Sequence, residues 1–239
     1  MAAPKITLYT NHICPWAHRA HIALKELGLE YEEVIIDLDK PREPWYLEIN
    51  PRGLVPTISY NGTIIPESAI VTQLLADSHP SHLVPPSNTP EGAIQRAHIA
   101  FFVDTFISRV WSQAFAACKA ASEEERSAAT EALVAAIEKN DVEKLLYPDG
   151  AGSGPFFRSA EKMTLAEALT GSFLLRILSF HKPQYGLLGA ELPALLEKRA
   201  PRFLSWARAV VAQESVNFIW DEEKVGKRSA AKWKVVAKH

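Results

Sequence analysis

Strand patterns alternate with helix patterns over the first 80 residues of this chain, and only helix patterns follow them. Ile6 to Thr10 has the alternation of a strand, and Pro15 to Leu27 carries apolar residues at helical spacing before Gly28, a residue type that commonly ends helices. Tyr31 to Asp37 predicts a second strand, so the chain opens with a βαβ unit. A short irregular helix is expected between Arg42 and Asn50.

The next segment is typical of a β-hairpin followed by a helix. Asn61-Gly62 separates the runs Thr57 to Tyr60 and Thr63 to Ile65, and this dipeptide favours the positive φ angles of a type I′ turn. A helix is predicted from Glu67 to about Ser78. The resulting order βαβαββα indicates a thioredoxin-like α/β domain over residues 1–80.

The rest of the chain predicts a second, all-α domain. Residues 81–92 are expected to be a linker because Pro85, Pro86 and Pro90 interrupt any regular element there. Residues 93–239 are then expected to form an all-helical bundle, with helix patterns at 93–120, 122–146, 164–180 and 191–213. Thr164 to Glu167 has the form of a capping box, in which the Thr hydroxyl and the Glu carboxylate close a helix start.

Composition and charge exclude several classes of protein. The two cysteines, Cys14 and Cys118, lie far apart and have no zinc-ligand spacing, so neither a disulfide scaffold nor a bound metal is expected. The chain opens without an apolar leader and has no run of 18 apolar residues, which predicts a cytoplasmic protein with no membrane partner.

The end of the chain is basic, although the formal net charge of the whole is only -2. Such a tail is more often a solvated helix face than a nucleic-acid site, so no nucleic-acid partner is expected. Trp233, Val235 and Val236 predict that part of this tail packs against the rest of the protein. The bases that follow the last acid, Glu223, are Lys224, Lys227, Arg228, Lys232, Lys234 and Lys238.

Cys14 is the strongest candidate for a catalytic residue. Pro15 favours the first position of a helix, which places Cys14 at the N-cap, where free N–H groups and the helix dipole stabilise an anion. Thiols in such positions have pKa values lowered from about 8.5 to roughly 3.5–7.5. Ala17 occupies the place of the second cysteine of a Cys-x-x-Cys motif, so a mixed disulfide on Cys14 would need an external thiol such as glutathione to resolve it.

Other interpretations of this region remain open. Cys14 could be a buried, inert cysteine that only packs. His18 and His21 share the predicted helix with Cys14, and a Cys-His pair is possible, but both follow the nucleophile along the helix and structural roles are favoured.

Three motifs in the first 80 residues together resemble the glutathione transferase superfamily. Cys14 to Arg19 is similar to the active-site motif of its cysteine-type branches, and the likeness is closest to the omega class, particularly its fungal-type members. Asn50 to Pro56 and Pro66 to Ile70 resemble its two glutathione-site motifs. The resemblance implies glutathione as co-substrate, no metal, and a homodimer. Glu167 is a mild departure, because the family usually has Asp there.

The resemblance also implies a set of glutathione-binding residues. Pro56 corresponds to a cis-proline that presents the backbone of Val55 to the cysteinyl part of glutathione. Glu67 and Ser68 would bind the ammonium and carboxylate of the γ-glutamyl group. Arg42 would bind the glycyl carboxylate, with Lys40 as its competitor. The complete set is Pro15, Trp16, Arg42, Leu54, Val55, Pro56, Glu67 and Ser68.

The activity implied is that of a glutathione-dependent thiol transferase or reductase, including dehydroascorbate reductase-type activity, in which Cys14 forms a mixed disulfide with glutathione. The alternatives are a glutathionyl-hydroquinone reductase, a conjugating glutathione transferase, and a non-catalytic ligand-binding or scaffold protein with the same fold. The small-molecule or glutathionylated acceptor is expected between the domains, near the helix-spaced aromatics Phe102, Phe106, Trp111 and Phe115, and near Trp220.

Overall fold

A four-stranded sheet forms the centre of the N-terminal part of the computed structural model, which describes residues 3–148 and 152–233. The strands lie in the order β2-β1-β3-β4; β1 pairs parallel with β2 and antiparallel with β3, and β3 pairs antiparallel with β4. This topology confirms the predicted thioredoxin-like fold. The elements are β1 (Ile6–Thr10), α1 (Pro15–Glu26), β2 (Glu32–Ile35), α2 (Pro44–Ile49), β3 (Thr57–Tyr60), β4 (Thr63–Pro66) and α3 (Ser68–Ser78).

Alternating side chains explain how this sheet packs. Ile6 and Leu8 of β1 and Ile58 of β3 are buried in one apolar cluster with residues of α1 and α3, including Leu24 and Leu75. The hairpin between β3 and β4 turns at Asn61 and Gly62, whose φ angles of 51° and 85° are those of the predicted turn.

The second half of the chain is helical, and its helices are shorter than the sequence predicts. Helix α4 begins at Pro90, three residues before the predicted start, and the Thr89 hydroxyl caps it by accepting from Gly92 N–H. A π-helical segment at 106–111 separates α4 from α5, and Asp141, at φ 50°, separates α6 from α7. Ala200 leaves the helical region before Pro201 and separates α9 from α10. The helices are α4 (Pro90–Thr105), α5 (Ser112–Cys118), α6 (Glu123–Lys139), α7 (Val142–Leu146), α8 (Leu165–Ser179), α9 (Leu192–Arg199), α10 (Pro201–Val211), α11 (Glu214–Asn217) and α12 (Glu222–Trp233).

Glu167 organises the core of the helical half. Its carboxylate is fully buried and accepts four hydrogen bonds, from the N–H and hydroxyl of Thr164 (both 2.8 Å), the N–H of Phe157 (2.7 Å) and the indole N–H of Trp206 (2.8 Å). The predicted capping box at the start of α8 is therefore confirmed. Burial raises the pKa of Glu167, and these donors oppose that shift.

Helix α8 holds the two halves of the protein together at α1. Arg19 Nε donates to Leu169 O at 2.7 Å, and Ser172 Oγ donates to Pro15 O at 2.8 Å. Arg176 Nη2 donates to Ile13 O at 2.7 Å. These bonds fix both sides of the segment that carries Cys14. The domain boundaries at residues 80 and 92 stay a prediction.

The basic C-terminal helix α12 lies against the rest of the protein, as its aromatic content predicts. The ring of Trp233 meets that of Phe115 edge-on, with centroids 5.1 Å apart. Val235 and Val236 lie outside the described residues. Among the described helices, none combines the length and the apolar character needed to cross a membrane.

Candidate active site

Cys14 lies in the loop between β1 and α1 and is the N-cap of α1, with Pro15 at the first helical position. Asn11 shapes this loop: its carbonyl accepts from Cys14 N–H at 3.0 Å, and its side-chain oxygen accepts from Ile13 N–H at 2.9 Å. The Asn11 amide donates in turn to Ile36 O at 2.9 Å. The position of the thiol is therefore set by the sheet on one side and by α1 on the other.

The electrostatics of Cys14 differ from the sequence-based expectation. Burial raises the pKa of the half-buried thiol, and this effect exceeds the opposing effects of the N–H groups of Ala17 and Trp16 and of the cations Arg176 and Lys232. The predicted lowering of the pKa was wrong in its net direction because the argument from the helix N-terminus did not include desolvation. The N–H groups and cations still surround the sulfur, where they stabilise a thiolate once it forms.

The loop that ends at Pro56 lies beside the thiol. The Val55-Pro56 peptide bond is cis, which confirms that prediction, and Cys14 Sγ lies 3.9 Å from Val55 O. Val55 is buried, whereas Leu54 is 57% exposed. The carbonyl of Leu54 accepts from Tyr46 OH at 2.5 Å and from Asn50 Nδ2 at 3.0 Å. These bonds hold the loop so that the Val55 edge faces Cys14.

Glu67 and Ser68 form the beginning of α3. Glu67 has a φ of 74°, and its carboxylate pairs with Arg52. The Ser68 hydroxyl is buried and accepts from Arg19 Nη1 at 3.1 Å. The sequence pattern indicates no role for Arg19, the last residue of the Cys14 motif; its contact with Ser68 links α1 to the predicted γ-glutamyl subsite.

Arg42 is engaged within its own loop. Its guanidinium donates to the carbonyls of Gly53 (2.9 Å), Asp37 (2.7 Å) and Lys40 (2.6 Å). Lys40 Nζ lies 3.4 Å from a carboxylate oxygen of Asp37. In this arrangement Arg42 organises the loop, and binding of a glycyl carboxylate by Arg42 or Lys40 stays a prediction.

A cavity of about 510 Å³ opens next to Cys14, between the sheet-bearing half and the helical half. Trp111 and Phe115 line it, as predicted, and Trp16 lies beside them in the wall. The rings of Trp111 and Phe115 are stacked with centroids 6.2 Å apart, so they form a continuous aromatic wall. The arrangement is an aromatic compartment beside the thiol.

Three of the aromatic residues predicted near the acceptor lie elsewhere. Phe106 is fully buried and packs against Trp206 with centroids 6.2 Å apart, and Phe102 packs there too, because the inward face of α4 forms the core of the helical half. The Arg176 guanidinium carbon lies 5.1 Å from the ring centroid of Trp220, and Trp220 lines a separate depression with Leu175. Helical spacing alone does not distinguish a core face from a cavity face.

Helix α12 contributes residues that the sequence analysis did not assign to the site. Arg228, Lys232 and Trp233 line the cavity, and Arg228 pairs with Asp39 in the loop after β2. Buried Cys118 also forms part of the wall, and desolvation raises its pKa to about 12, which makes it a poor nucleophile beside Cys14. The basic, aromatic composition of the tail was the available signal for its placement.

Comparisons with known proteins agree with this geometry. Residues 13–78 match the model of the glutathione S-transferase N-terminal domain. Glutathione S-transferase omega-1 of Rattus norvegicus is 33% identical over 99 residues, which are 41% of this chain and 41% of that protein. The alignment therefore spans about two fifths of the length of such curated relatives.

Two solved structures extend the likeness to nearly the whole chain. Glutathione transferase Omega 1C from Trametes versicolor has a TM-score of 0.78 and 28% identity, covering 98% of this chain and 99% of that one. Omega 2S from the same organism, solved in complex with 2,4-dihydroxybenzophenone, has a TM-score of 0.76 and 26% identity over 97% and 99% of the two chains. Residues 13–78 therefore belong to the glutathione S-transferase N-terminal domain family, and over nearly its whole length the chain is similar to omega glutathione transferases.

Proposed function

We propose that this protein is a glutathione-dependent thiol transferase or reductase that acts through a mixed disulfide between Cys14 and glutathione. The observation that carries the proposal is the position of a single thiol at the N-terminus of α1, beside the Val55 edge and at the mouth of the aromatic cavity. Ala17, fully buried one turn further along, leaves no second thiol in this turn to displace glutathione.

The reaction has two balanced steps. The Cys14 thiolate attacks the glutathione sulfur of a mixed disulfide; a Cys14–glutathione S–S bond forms, and the released acceptor sulfur takes a proton from solvent. A second glutathione thiolate then attacks the glutathione sulfur bound to Cys14, which yields oxidised glutathione and restores the Cys14 thiolate. The N–H groups of Trp16 and Ala17 and the charge of Arg176 stabilise Cys14 when it leaves as an anion.

Glutathione would bind along the groove between the cis-proline loop and α3. The backbone of Val55 would pair with the cysteinyl part, as one strand pairs with another, and Glu67 and Ser68 would bind the γ-glutamyl end. The contact of Ser68 with Arg19 supports this subsite, because it leaves the hydroxyl proton free to donate to a carboxylate. We keep Arg42 and Lys40 as the two candidates for the glycyl end, with Pro15, Trp16, Leu54 and Pro56 as the remaining contacts.

The acceptor would occupy the cavity lined by Trp111, Phe115 and Trp233. Its aromatic wall favours flat, apolar acceptors. The Trametes versicolor protein solved with 2,4-dihydroxybenzophenone supports this proposal, since it is a relative with an aromatic ligand.

We also propose that the protein forms a homodimer and acts in the cytoplasm, where glutathione is kept in its reduced form. Exposed apolar side chains on neighbouring helices support dimer formation: Ile70 on α3 is 56% exposed, and Ile94 and Phe101 on α4 are 57% and 59% exposed. Burying this surface against a second copy would remove it from water.

Mass spectrometry of the protein mixed with a glutathionylated peptide tests the mechanism. We expect one glutathione adduct on Cys14, released by added glutathione with formation of oxidised glutathione. The Cys14→Ser variant should form no adduct and have only background activity. Cys118→Ser is the matched control and should behave as the wild type, because Cys118 is buried and its pKa is raised. Full deglutathionylation by Cys14→Ser would refute the proposal.

A further inference from the structure

Three potential metal ligands from three different elements meet near the C-terminal end of β1. His12 lies in the loop after β1, His21 lies on α1, and Glu33 lies on β2. His12 Nε2 is 2.6 Å and His21 Nε2 is 3.4 Å from Glu33 Oε1. One ligand atom from each residue lies within 4.8 Å of the others, and no ion occupies this position among the described residues.

The hydrogen bonds of His21 prepare its ring for a metal. The side chain is fully buried, and its Nδ1 lies 2.8 Å from Tyr31 OH. If Nδ1–H donates to the Tyr31 oxygen, Nε2 accepts from the Thr10 hydroxyl at 2.8 Å and lies 3.4 Å from Glu33 Oε1. An ion bound at Nε2 would replace the hydrogen bond from Thr10. Histidines that bind metals are commonly oriented in this way, by a hydrogen bond from the nitrogen that does not bind the ion.

The other two ligands are accessible and adaptable. The side chains of His12 and Glu33 are 40% and 30% exposed, and both line an open cleft with Tyr31 and Phe218. The rings of His12 and His21 meet edge-on with centroids 5.3 Å apart. A metal ion can therefore enter from solvent, and His12 can turn to widen its 2.6 Å contact with Glu33.

The ligand types and their spacing suit zinc. Zn–N bonds of about 2.0–2.1 Å and Zn–O bonds of about 2.0–2.2 Å place the ligand atoms of a tetrahedral site roughly 3.4 Å apart. The distance from His21 Nε2 to Glu33 Oε1 is already 3.4 Å. Two imidazoles and one carboxylate favour a first-row transition metal over Ca²⁺ or Mg²⁺, which prefer oxygen ligands.

We propose that His12, His21 and Glu33 form a three-ligand site for a divalent transition-metal ion of the Zn²⁺ type, with water as the fourth ligand. His12 presents Nε2 to the ion and keeps its proton on Nδ1, while His21 is held by Tyr31 and Glu33 supplies one oxygen. The site is separate from the exchange chemistry of Cys14, because it uses no thiol.

Calorimetric titration of the full chain with ZnCl₂ tests the site. We expect one Zn²⁺ per chain, and we expect His12→Ala and Glu33→Gln each to weaken binding at least about tenfold, since each removes a ligand from the partly exposed side of the site. His98→Ala is the matched control: His98 lies on α4 outside the cluster, and its loss should leave the affinity unchanged.

Titration of Cys14→Ser separates this site from zinc bound by the active-site thiol. The proposal requires that Cys14→Ser bind Zn²⁺ with wild-type affinity, whether or not the exchange mechanism is correct. Wild-type affinity in His12→Ala and Glu33→Gln, or loss of binding in Cys14→Ser, would overturn it.

Discussion

His18 should make the stability of this protein depend on pH. The side chain is fully buried in α1, and neither ring nitrogen has a hydrogen-bond partner of good geometry among the described residues, although the backbone of Val216 lies close enough to oppose the lowering of the pKa. Burial lowers the pKa of His18 well below its usual value, and the nearby charge of Arg176 adds to the effect. In the unfolded chain the same residue titrates near pH 6.5.

The sign and size of the effect follow from proton linkage. Below about pH 6.5 the unfolded chain binds a proton at His18 that the folded protein does not, so stability falls as the pH falls. One such histidine lowers the free energy of unfolding by at most about 1.4 kcal/mol for each pH unit, or by roughly 2 kcal/mol between pH 7.5 and pH 5. His18→Leu removes this dependence and the two unpartnered nitrogens with little change of volume.

Urea unfolding followed by circular dichroism at pH 7.5 and pH 5 measures the effect. The wild type should lose about 2 kcal/mol more than His18→Leu between these pH values. His98→Leu, at a half-exposed position on α4, is the control and should keep the wild-type dependence. Equal pH dependence in the wild type and His18→Leu would refute a buried, neutral imidazole at this position.

Three further predictions concern the core, the cavity and the dimer. Glu167→Ala leaves three buried N–H donors without an acceptor, at roughly 1–3 kcal/mol each, so the free energy of unfolding should fall by at least about 3 kcal/mol in urea titrations. A loss under about 1 kcal/mol would contradict the role assigned to Glu167. Arg228→Ala breaks an ion pair with Asp39 that contributes at most about 1 kcal/mol to stability, so the melting temperature should barely change. The KM for an aromatic acceptor should change, because Arg228 lines the cavity, and Asp39→Asn should have the same effect. An unaltered KM in both variants would exclude α12 from the acceptor site. Phe101→Glu should give a monomer by light scattering, whereas Phe218→Glu, at a 50% exposed residue on another surface, should leave the protein dimeric. A dimeric Phe101→Glu protein would rule out the face of α3 and α4 as the dimer interface.

The first half of the fold could be predicted from local signals. Pro15 after Cys14 determines where α1 begins, and Asn61-Gly62 determines the hairpin turn, because both depend on backbone preferences of a few adjacent residues. Helix breaks in the second half were harder to predict. Asp141 adopts a positive φ that no glycine signals, and the π-helical segment at 106–111 has no sequence signature.

In the candidate site, too, some features follow from local sequence patterns and others depend on distant packing. Val55 lies beside Cys14, and Ser68 lies at the start of α3, where local patterns place them, while their binding of glutathione stays a prediction. The cavity does not follow from local pattern, since the pairs Phe102/Phe106 and Trp111/Phe115 both have i, i+4 spacing but only the second pair faces the opening. The net direction of the Cys14 pKa shift also depends on burial by distant residues, which a single motif does not report.

Three hydrogen bonds join α8 to the loop and first helix around Cys14, and they limit how this protein can be divided. Arg176, Ser172 and the carbonyl of Leu169 fasten the nucleophile from a segment more than 150 residues further along the chain. An isolated N-terminal fragment would retain every recognisable motif and yet lose these anchors. Transplanting the fragment onto a foreign helical partner should therefore fail unless the partner reproduces the same three attachments.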